Sequence, residues 1–364
     1  MHLLMSSIKK NIAVICKYAL RPDRIGGMDR FYVAFDAAVK NLGNDIEWFF
    51  VDVKSFDFYN DLKIHSAQGG AVEQCFLNRA SSNEVKYDVV ITHFIELCTP
   101  FYKSVKSLGM EKTIAVDHNP RPLNGFPLKK RLKNKLKGIL YSKYIDLFVG
   151  VSQYTVDNIL RDYGSFLKNK TQRIYNGIDT SVYKSQSIKT SDKKRFIVVS
   201  HLRESKGIQD LLEAVRLMDS GLRQKFTIDI FGEGPLEDDF KEFTAKNNLS
   251  ETIKFHGSSS DIPAFLCDYD YLLQPTYMEC FSLSILESLS ANVPVITTTV
   301  GGNTEIIKDG KNGYLFSAKD ILALSQIITE IVEGKRAIEE ETRNLIEEKF
   351  NLERMVQDHL KYIA

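Results

Sequence analysis

Short runs rich in β-branched and aromatic residues recur along the chain, and each is followed by a longer stretch in which apolar residues return at helical spacing. That alternation predicts parallel sheets built from β–α units, because a parallel strand pair needs a crossover long enough to hold a helix. In the first half the pattern predicts strands at Asn11–Cys16, Ile46–Val51, Asp88–Thr92, Thr113–Asp117 and Asp146–Val151. In the second half it predicts Arg195–Ser200, Phe226–Phe231, Thr252–His256, Asp270–Gln274, Val293–Thr297 and Gly313–Phe316. Between the two sets, Thr180–Lys194 is polar, rich in Ser and Lys, and has no hydrophobic period, so it reads as a linker. Helical stretches follow the last strand at 319–334, 336–349 and 351 to the end.

A chain of 364 residues can form two ordinary domains, each with its own core. The expected architecture is α/β: two doubly wound, Rossmann-like domains, 1–185 and 186–350, facing across a cleft, with helix 351–364 packing back on the first. Ligands of such sheets bind outside the carboxyl ends of the strands. No internal sequence repeat is evident, so the halves share architecture only. The 48 basic and 47 acidic residues leave a net charge of +1, which makes the whole molecule a poor electrostatic magnet for nucleic acid. No stretch reaches the roughly 18 uninterrupted apolar residues of a spanning helix. The Leu3–Met5 cluster ahead of Lys9 and Lys10 is too short for a signal peptide, so the expected location is the cytoplasm. Five scattered cysteines without a Cys-x-x-Cys pair suggest neither a disulfide framework nor a zinc site.

The most informative segment, Pro275–Glu287, follows an apolar strand and opens an apolar-periodic helix. Backbone amides of its first turn, around Phe281, Ser282 and Leu283, lack intrahelical partners and suit a phosphate or polar ligand. Glu279 lies in the loop, and Glu287 is one turn up from Leu283 on the same face. Two carboxylates so placed can accept from hydroxyls of one elongated ligand, such as a sugar and a ribose. The same pair also fits a plain structural role, Glu279 complementing the helix dipole and Glu287 solvated.

A second segment, Ser200–Gly207, runs from a strand end into a helix. Lys206 there opposes the helix dipole unless an anion such as a diphosphate sits beside it. Arg203 is either a bidentate clamp on the same phosphates or an exposed loop arginine. Phe231-Gly232-Glu233-Gly234-Pro235 allows close backbone approach of a ligand, although ordinary tight turns use the same pattern. Gly26 and Gly27 fill the corresponding place in the first domain, where their amides can face a phosphate. His118 ends a first-domain strand and is thereby aimed at the crevice. No Gly-x-Ser-x-Gly elbow, Walker loop or His-Glu-x-x-His is present, which argues against hydrolase, kinase and zinc-protease chemistry.

Charge is uneven in one place. From His118 through Ile145 there is no acidic residue, while Arg121, Lys129, Lys130, Arg131, Lys133, Lys135, Lys137 and Lys143 are basic. Leu128, Leu132, Leu136, Ile139 and Leu140 recur at helical spacing. Such a helix either docks on anionic lipid, with Lys129, Lys130, Arg131, Lys133 and Lys137 at the headgroups, or turns its apolar stripe to the core and its basic back to water.

Taken in order, Gly26-Gly27, Tyr175-Asn176-Gly177-Ile178-Asp179, Lys206-Gly207, Phe231–Pro235, Glu279-x7-Glu287 and Val300-Gly301-Gly302-Asn303-Thr304-Glu305 resemble glycosyltransferase family 4. These are the retaining nucleotide-sugar transferases of GT-B fold, and the resemblance covers most of the length. It implies that Glu279 contacts the donor sugar, Glu287 the ribose hydroxyls and Lys206 the diphosphate. It also implies that the Gly27 amide meets a phosphate, that His118 lies by the transferred sugar, and that the backbone at Phe281–Leu283 holds sugar and phosphate. Two positions depart from the family: His201 stands where arginine is usual, with Arg203 a candidate substitute, and Cys280 stands where glycine often follows the first glutamate. Ser258 and Ser259 are candidate contacts to the base.

The expected activity is transfer of a sugar from a UDP- or GDP-sugar to a glycan or polyprenyl-linked hydroxyl, in bacterial surface polysaccharide assembly, in the cytoplasm or peripherally on the inner face of the membrane. Bond cleavage at the anomeric carbon leaves a more negative nucleotide, which Lys206, Arg203 and helix N-termini can stabilise, so neither cofactor nor metal is expected. The resemblance adds retention of configuration, with the leaving phosphate helping to deprotonate the incoming hydroxyl. Two other readings share the two-lobed layout: a nucleotide-sugar 2-epimerase, and a solute-binding protein, against which the missing export signal counts.

Overall fold

A computed structural model describes residues 9–22, 25–54, 56–82, 84–185 and 193–363. They divide into two compact units. One holds the chain up to Asn119, Phe126–Tyr175 and the residues from Met355; the other holds Pro120–Gly125 and Asn176–Arg354.

The first unit is built on seven strands: β1 (Asn11–Leu20), β2 (Asp45–Val53), β3 (Ile64–Ser66), β4 (Val89–His93), β5 (Lys112–Asp117), β6 (Leu147–Gly150) and β7 (Thr171–Arg173). They form a parallel sheet in the order β3-β2-β1-β4-β5-β6-β7. Ile12 to Cys16 are all fully buried, as a central strand covered on both faces requires. The second unit has β8 (Lys194–Val199), β9 (Phe226–Phe231), β10 (Ile253–Gly257), β11 (Tyr271–Gln274), β12 (Val295–Thr298) and β13 (Gly313–Phe316), also parallel, in the order β10-β9-β8-β11-β12-β13. Its core joins Phe196, Phe226 and Ile228 of the sheet to Leu211, Leu212 and Val215 of the helix Ile208–Arg216.

Strand order reverses between β1 and β4 in one sheet and between β8 and β11 in the other. In open α/β sheets that reversal separates the two flanking crossovers and leaves a crevice at the carboxyl ends. Gly26 and Gly27 follow β1, Lys206 follows β8, and Glu279 follows β11.

Three details differ from the sequence pattern. The edge strands β3 and β7 have no counterpart in that pattern, because three residues carry too little period to read. Helix 336–349 forms only at Arg343–Lys349. Before it the backbone is held by side chains: the amide of Ile338 donates to the Tyr271 hydroxyl (3.2 Å), and that of Thr342 to Asn292 Oδ1 (2.8 Å). The break between units falls at Asn176 instead of 186, since Arg343 donates to the carbonyls of Thr180 (2.9 Å) and Tyr183 (3.0 Å). Ile178 also bonds through its amide to the Phe350 carbonyl (3.0 Å) and through its carbonyl to the Leu352 amide (2.9 Å), which keeps 351–354 with the second unit. The middle of the expected linker, 186–192, lies outside the described residues. The helix Leu352–Leu360 carries His359 to the rings of Phe31 (4.9 Å) and Phe35 (6.0 Å) in the first unit.

Candidate functional site

In the second unit the loop 275–282 joins β11 to the helix Leu283–Ser290. Ile285, Leu286 and Leu289 bury the inner face of that helix, and Ser282 caps it by accepting the Ile285 amide (3.3 Å). A buried polar network fixes the loop. Gln274 Nε2 donates to the hydroxyls of Ser282 (2.6 Å) and Ser284 (2.9 Å), and Thr297 donates to the Gln274 carbonyl (2.9 Å). Asn303 donates in turn to Thr297 Oγ1 (3.0 Å), and Thr298 to the Thr276 carbonyl (2.7 Å). Gln274 and Thr297 hold the loop, and the sequence pattern does not single them out, since a polar residue ending a strand has no distinctive spacing.

This loop brings Lys206 and Glu279 together. Lys206 Nζ lies 2.9 Å from Glu279 Oε2, with the side chains only 16% and 17% exposed, and Glu279 Oε1 accepts the Cys280 amide (3.1 Å). The anion that the helix dipole argument demands beside Lys206 is therefore Glu279 itself. Two glycines permit the approach. Gly207 sits at φ +70° and Gly301 at φ +65°; a Cβ on the first would fall on the Pro275 carbonyl and on the second on the Glu279 carbonyl. The amide of Tyr277 bonds the Ser205 carbonyl (2.8 Å), and that of Gly302 the Cys280 carbonyl (3.0 Å).

Other expected contacts resolve differently. Gly232 and Gly234 are small because they pack on the carbonyls of Ser200 and Leu202, so their approach is to backbone and not to an open ligand space. Cys280, Phe281 and Ser282 are buried; the Phe281 ring packs on Phe350 (5.3 Å), and the Cys280 amide and carbonyl are already bonded to Glu279 and Gly302. Glu287 is half-buried one turn beyond Leu283. His201 and Arg203 are exposed. Ser258 is exposed, its amide 3.4 Å from Glu233 Oε1, and the Ser259 hydroxyl accepts the Asp261 amide (3.2 Å).

In the first unit the helix Gly27–Asn41 starts directly after Gly26. The buried Asp29 carboxylate accepts the Gly26 amide (2.9 Å) and is held by the hydroxyls of Tyr59 and Tyr18. The Gly26 amide is thus committed inside the protein, which corrects its assignment to a phosphate and leaves that of Gly27. His118 follows β5 and meets His93 at the end of β4, with 2.9 Å between His93 Nδ1 and His118 Nε2. Burial, reinforced by His359, pushes His118 down to about 3; burial, reinforced by His118 and His359, holds His93 well below the usual range. Both rings are neutral near pH 7. The expected strand stopped at Thr92, one residue short of His93, although the signal that marks His118, a histidine at a strand's carboxyl end, marks His93 equally.

The basic helix Leu128–Tyr141 turns Asn134 and Gly138 inward, and Gly138 packs so closely on the Tyr163 carbonyl that a Cβ would fall on it. Its apolar stripe faces outward, with Leu128 69%, Leu132 59%, Leu136 56% and Ile139 66% exposed. The core-facing alternative for that stripe is thereby excluded. Lys129, Lys130, Arg131 and Lys133 are exposed beside it, whereas Lys137 is drawn to Glu96 (2.5 Å) and is no headgroup ligand. Among the described residues no helix is long and apolar enough to cross a membrane, and no group of three His, Cys, Asp or Glu side chains is placed to hold a metal ion.

Comparison with known proteins gives this geometry its setting. The description "Glycosyl transferases group 1" matches residues 179–351, and "Glycosyltransferase Family 4" matches residues 64–182. The chain belongs to glycosyltransferase family 4. An uncharacterized glycosyltransferase of Methanocaldococcus jannaschii is 29% identical over 210 residues, 56% of each chain. The UDP-Gal:alpha-D-GlcNAc-diphosphoundecaprenol alpha-1,3-galactosyltransferase of Escherichia coli is 27% identical over 165 residues, 44% of this chain and 43% of that one. The match thus spans about half the length of these curated relatives. Anabaena HepE, solved with UDP and glucose, superposes with a TM-score of 0.76 at 17% identity, covering 97% of this chain and 99% of that one. The fold is GT-B. Within family 4, Lys206, Glu279 and Glu287 occupy the second unit, the one matched by the group 1 description.

Proposed function

We propose that this chain is a retaining, metal-independent glycosyltransferase that moves a sugar from a nucleoside diphosphate to a hydroxyl of a glycan or lipid-linked acceptor in surface polysaccharide assembly. The observation that carries the reading is the Lys206–Glu279 pair, 2.9 Å apart, at the carboxyl ends of the two strands where the second sheet reverses. A diphosphate bound beside Lys206 shares that cation with Glu279, and the sugar attached to it comes within reach of the same carboxylate. In the reaction the bond from the anomeric carbon to the β-phosphate oxygen breaks, and the electron pair leaves with the phosphate. The acceptor oxygen bonds the anomeric carbon on the same face, and its proton passes to the leaving phosphate. Lys206 and the amides at the start of the helix Leu283–Ser290 stabilise the added negative charge. Glu287 is assigned to the ribose, and His118 to the transferred sugar.

The outward stripe Leu128–Leu132–Leu136–Ile139, flanked by Lys129 and Lys133, supports a peripheral position on an anionic membrane surface. The E. coli relative is named for an acceptor on diphosphoundecaprenol, which is a lipid. Turnover of a panel of UDP-, GDP- and ADP-sugars with and without EDTA, followed by proton NMR of the first product, tests the chemistry. The expected product keeps the donor's anomeric configuration at an EDTA-independent rate; an inverted anomer, or loss of turnover in EDTA, refutes the mechanism.

A further inference from the structure

Lys206 ends a turn of only three residues, Glu204–Lys206, and the carbonyls of the two residues ahead of it are both tied to one residue of the facing loop, Tyr277. The Ser205 carbonyl accepts the Tyr277 amide (2.8 Å). The Glu204 carbonyl accepts Gln209 Nε2 (3.0 Å), and the same nitrogen donates to the Tyr277 hydroxyl (2.9 Å). Tyr277 is buried, and a Cβ at Gly207 would lie 3.3 Å from the edge of its ring, so the ring packs against the turn. Lys319, on the loop after β13 and at φ +70°, sits over the same ring (5.1 Å). Loops that follow β8, β11 and β13 thus converge on one side chain to which the mechanism gives no part.

These bonds have a direction. A carbonyl only accepts, so the Gln209 atom facing Glu204 is the nitrogen, and its two hydrogens are both used, one on Glu204 and one on the Tyr277 hydroxyl. The hydroxyl keeps its own hydrogen for a further acceptor, and the buried carboxyl of Asp210 faces it. Burial raises the Asp210 carboxyl, while Tyr277 and Lys319 act against that rise. Both ends of the chain Gln209–Tyr277–Asp210 lie on the helix Ile208–Arg216. One acceptor is left unmet: Gln209 Oε1 is buried and has no hydrogen-bond partner. Fold stability alone does not ask for that, since an apolar side chain at this position would bury no unmet acceptor. What the glutamine adds is its tie to the Glu204 carbonyl, two residues ahead of Lys206.

We propose that Tyr277 is a positioning residue for Lys206: its amide directly, and its hydroxyl through Gln209 and braced by Asp210, hold the two carbonyls ahead of the lysine, so that the cation stands beside Glu279 before a diphosphate arrives. The functional part rests on the assignment of Lys206 to the diphosphate; the tie itself does not. Negative charge on that diphosphate grows as its bond to the sugar breaks, so a cation out of place costs more in the transition state than in donor binding.

Transfer kinetics of the full chain, with the nucleotide sugar that turns over best in the panel, test the functional part. Tyr277→Phe keeps the ring and the amide and removes only the hydroxyl; it should lower kcat about 10-fold, by more than any change in donor KM. Gln209→Glu, which cannot donate to Glu204, should lose as much as Gln209→Leu, and Asp210→Asn, whose amide oxygen still accepts the hydroxyl, should keep more of kcat than Asp210→Ala. Repeated in Lys206→Ala, Tyr277→Phe should cost less than about 2-fold, because no cation is left to position, whereas a merely structural role costs the same factor in both backgrounds. Hydrogen exchange without substrate reads the tie itself. The Lys206 and Gly207 amides, which donate to the carbonyls of Arg203 (2.9 Å) and Glu204 (3.0 Å), should exchange faster in Tyr277→Phe and in Gln209→Leu than in the parent. Exchange at the parental rate in both variants, or equal losses of kcat with and without Lys206, overturns the proposal. Faster exchange with parental kcat leaves the tie intact and sinks the assignment of Lys206 to the diphosphate.

Discussion

Acidification from pH 7 to pH 5 should unfold the first unit far more readily than its surface charges would suggest. Burial pushes His118 down to about 3 and His359 down to about 4, and drives His93 well below its usual range. The unfolded chain, with its histidines near 6.5, therefore takes up protons that the folded protein refuses, and stability falls as the pH drops below about 6.5 until it reaches the folded values. At pH 5 an ordinary histidine is almost fully charged, so His118 and His359 each withdraw about 2 kcal/mol relative to pH 7. Together that is about 4 kcal/mol, with His93 acting in the same direction, against a total stability of roughly 5–15 kcal/mol for a native protein. The shifted carboxylate Glu47 does not blur this window. Burial acts upward on Glu47, but bonds from Lys63, Tyr87 and His65 prevail and hold it at about 2, so its contribution is lost only below about pH 4.5. The assay is built in, since Trp48 is the only tryptophan and lies fully buried in the first unit, its indole donating to Asp36 (2.9 Å). Urea unfolding followed by its fluorescence should show a midpoint much lower at pH 5 than at pH 7. His359→Leu should lessen the acid loss by about 2 kcal/mol. Equal midpoints at the two pH values, or a variant as acid-sensitive as the parent, would refute the reasoning.

Three further outcomes are expected. Lys206→Ala leaves Glu279 without its cation and the leaving diphosphate without a fixed charge, so initial transfer rates should fall about 100-fold; parental rates would remove Lys206 from the site. Gly301→Ala forces a side chain into the left-handed region and onto the Glu279 carbonyl, and should cost at least about 1–2 kcal/mol in chemical unfolding together with most of the activity. Leu132→Glu with Ile139→Glu alters only exposed positions, so thermal midpoint should hold while co-sedimentation with anionic vesicles is lost; binding that survives the change, or is equal on neutral vesicles, argues against docking.

Lys206 and Glu279 were each legible from the sequence, but their pairing was not. They stand 73 residues apart, on loops after different strands, and what joins them is the backbone approach that Gly207 and Gly301 allow. Glycine in a sequence signals that something comes close without saying what. At Gly232 and Gly234 the same signal, read as room for a ligand, is answered by the carbonyls of Ser200 and Leu202. Parallel strands were easier: a buried central strand reads as a largely apolar run, and β1 and β4 announce themselves, whereas β3 and β7 are edge strands too short to carry a pattern.

The basic helix shows where pattern reading stops for a more general reason. Amphipathicity states that two faces differ; it does not state which is inside. The usual assumption that leucines face the core fails at Leu128–Tyr141 because the contact face is set by Gly138, whose missing side chain lets the helix backbone meet the Tyr163 carbonyl. Only the narrow edge through Asn134 and Gly138 fits there, and with it seated the leucine stripe has nowhere to go but outward. A soluble surface gains nothing from exposing four large apolar side chains in one row, since each forgoes about 1.5–3 kcal/mol of burial. On the docking proposed above, an anionic bilayer takes both halves of such a row at once, the leucines into its acyl boundary and Lys129 and Lys133 to its headgroups.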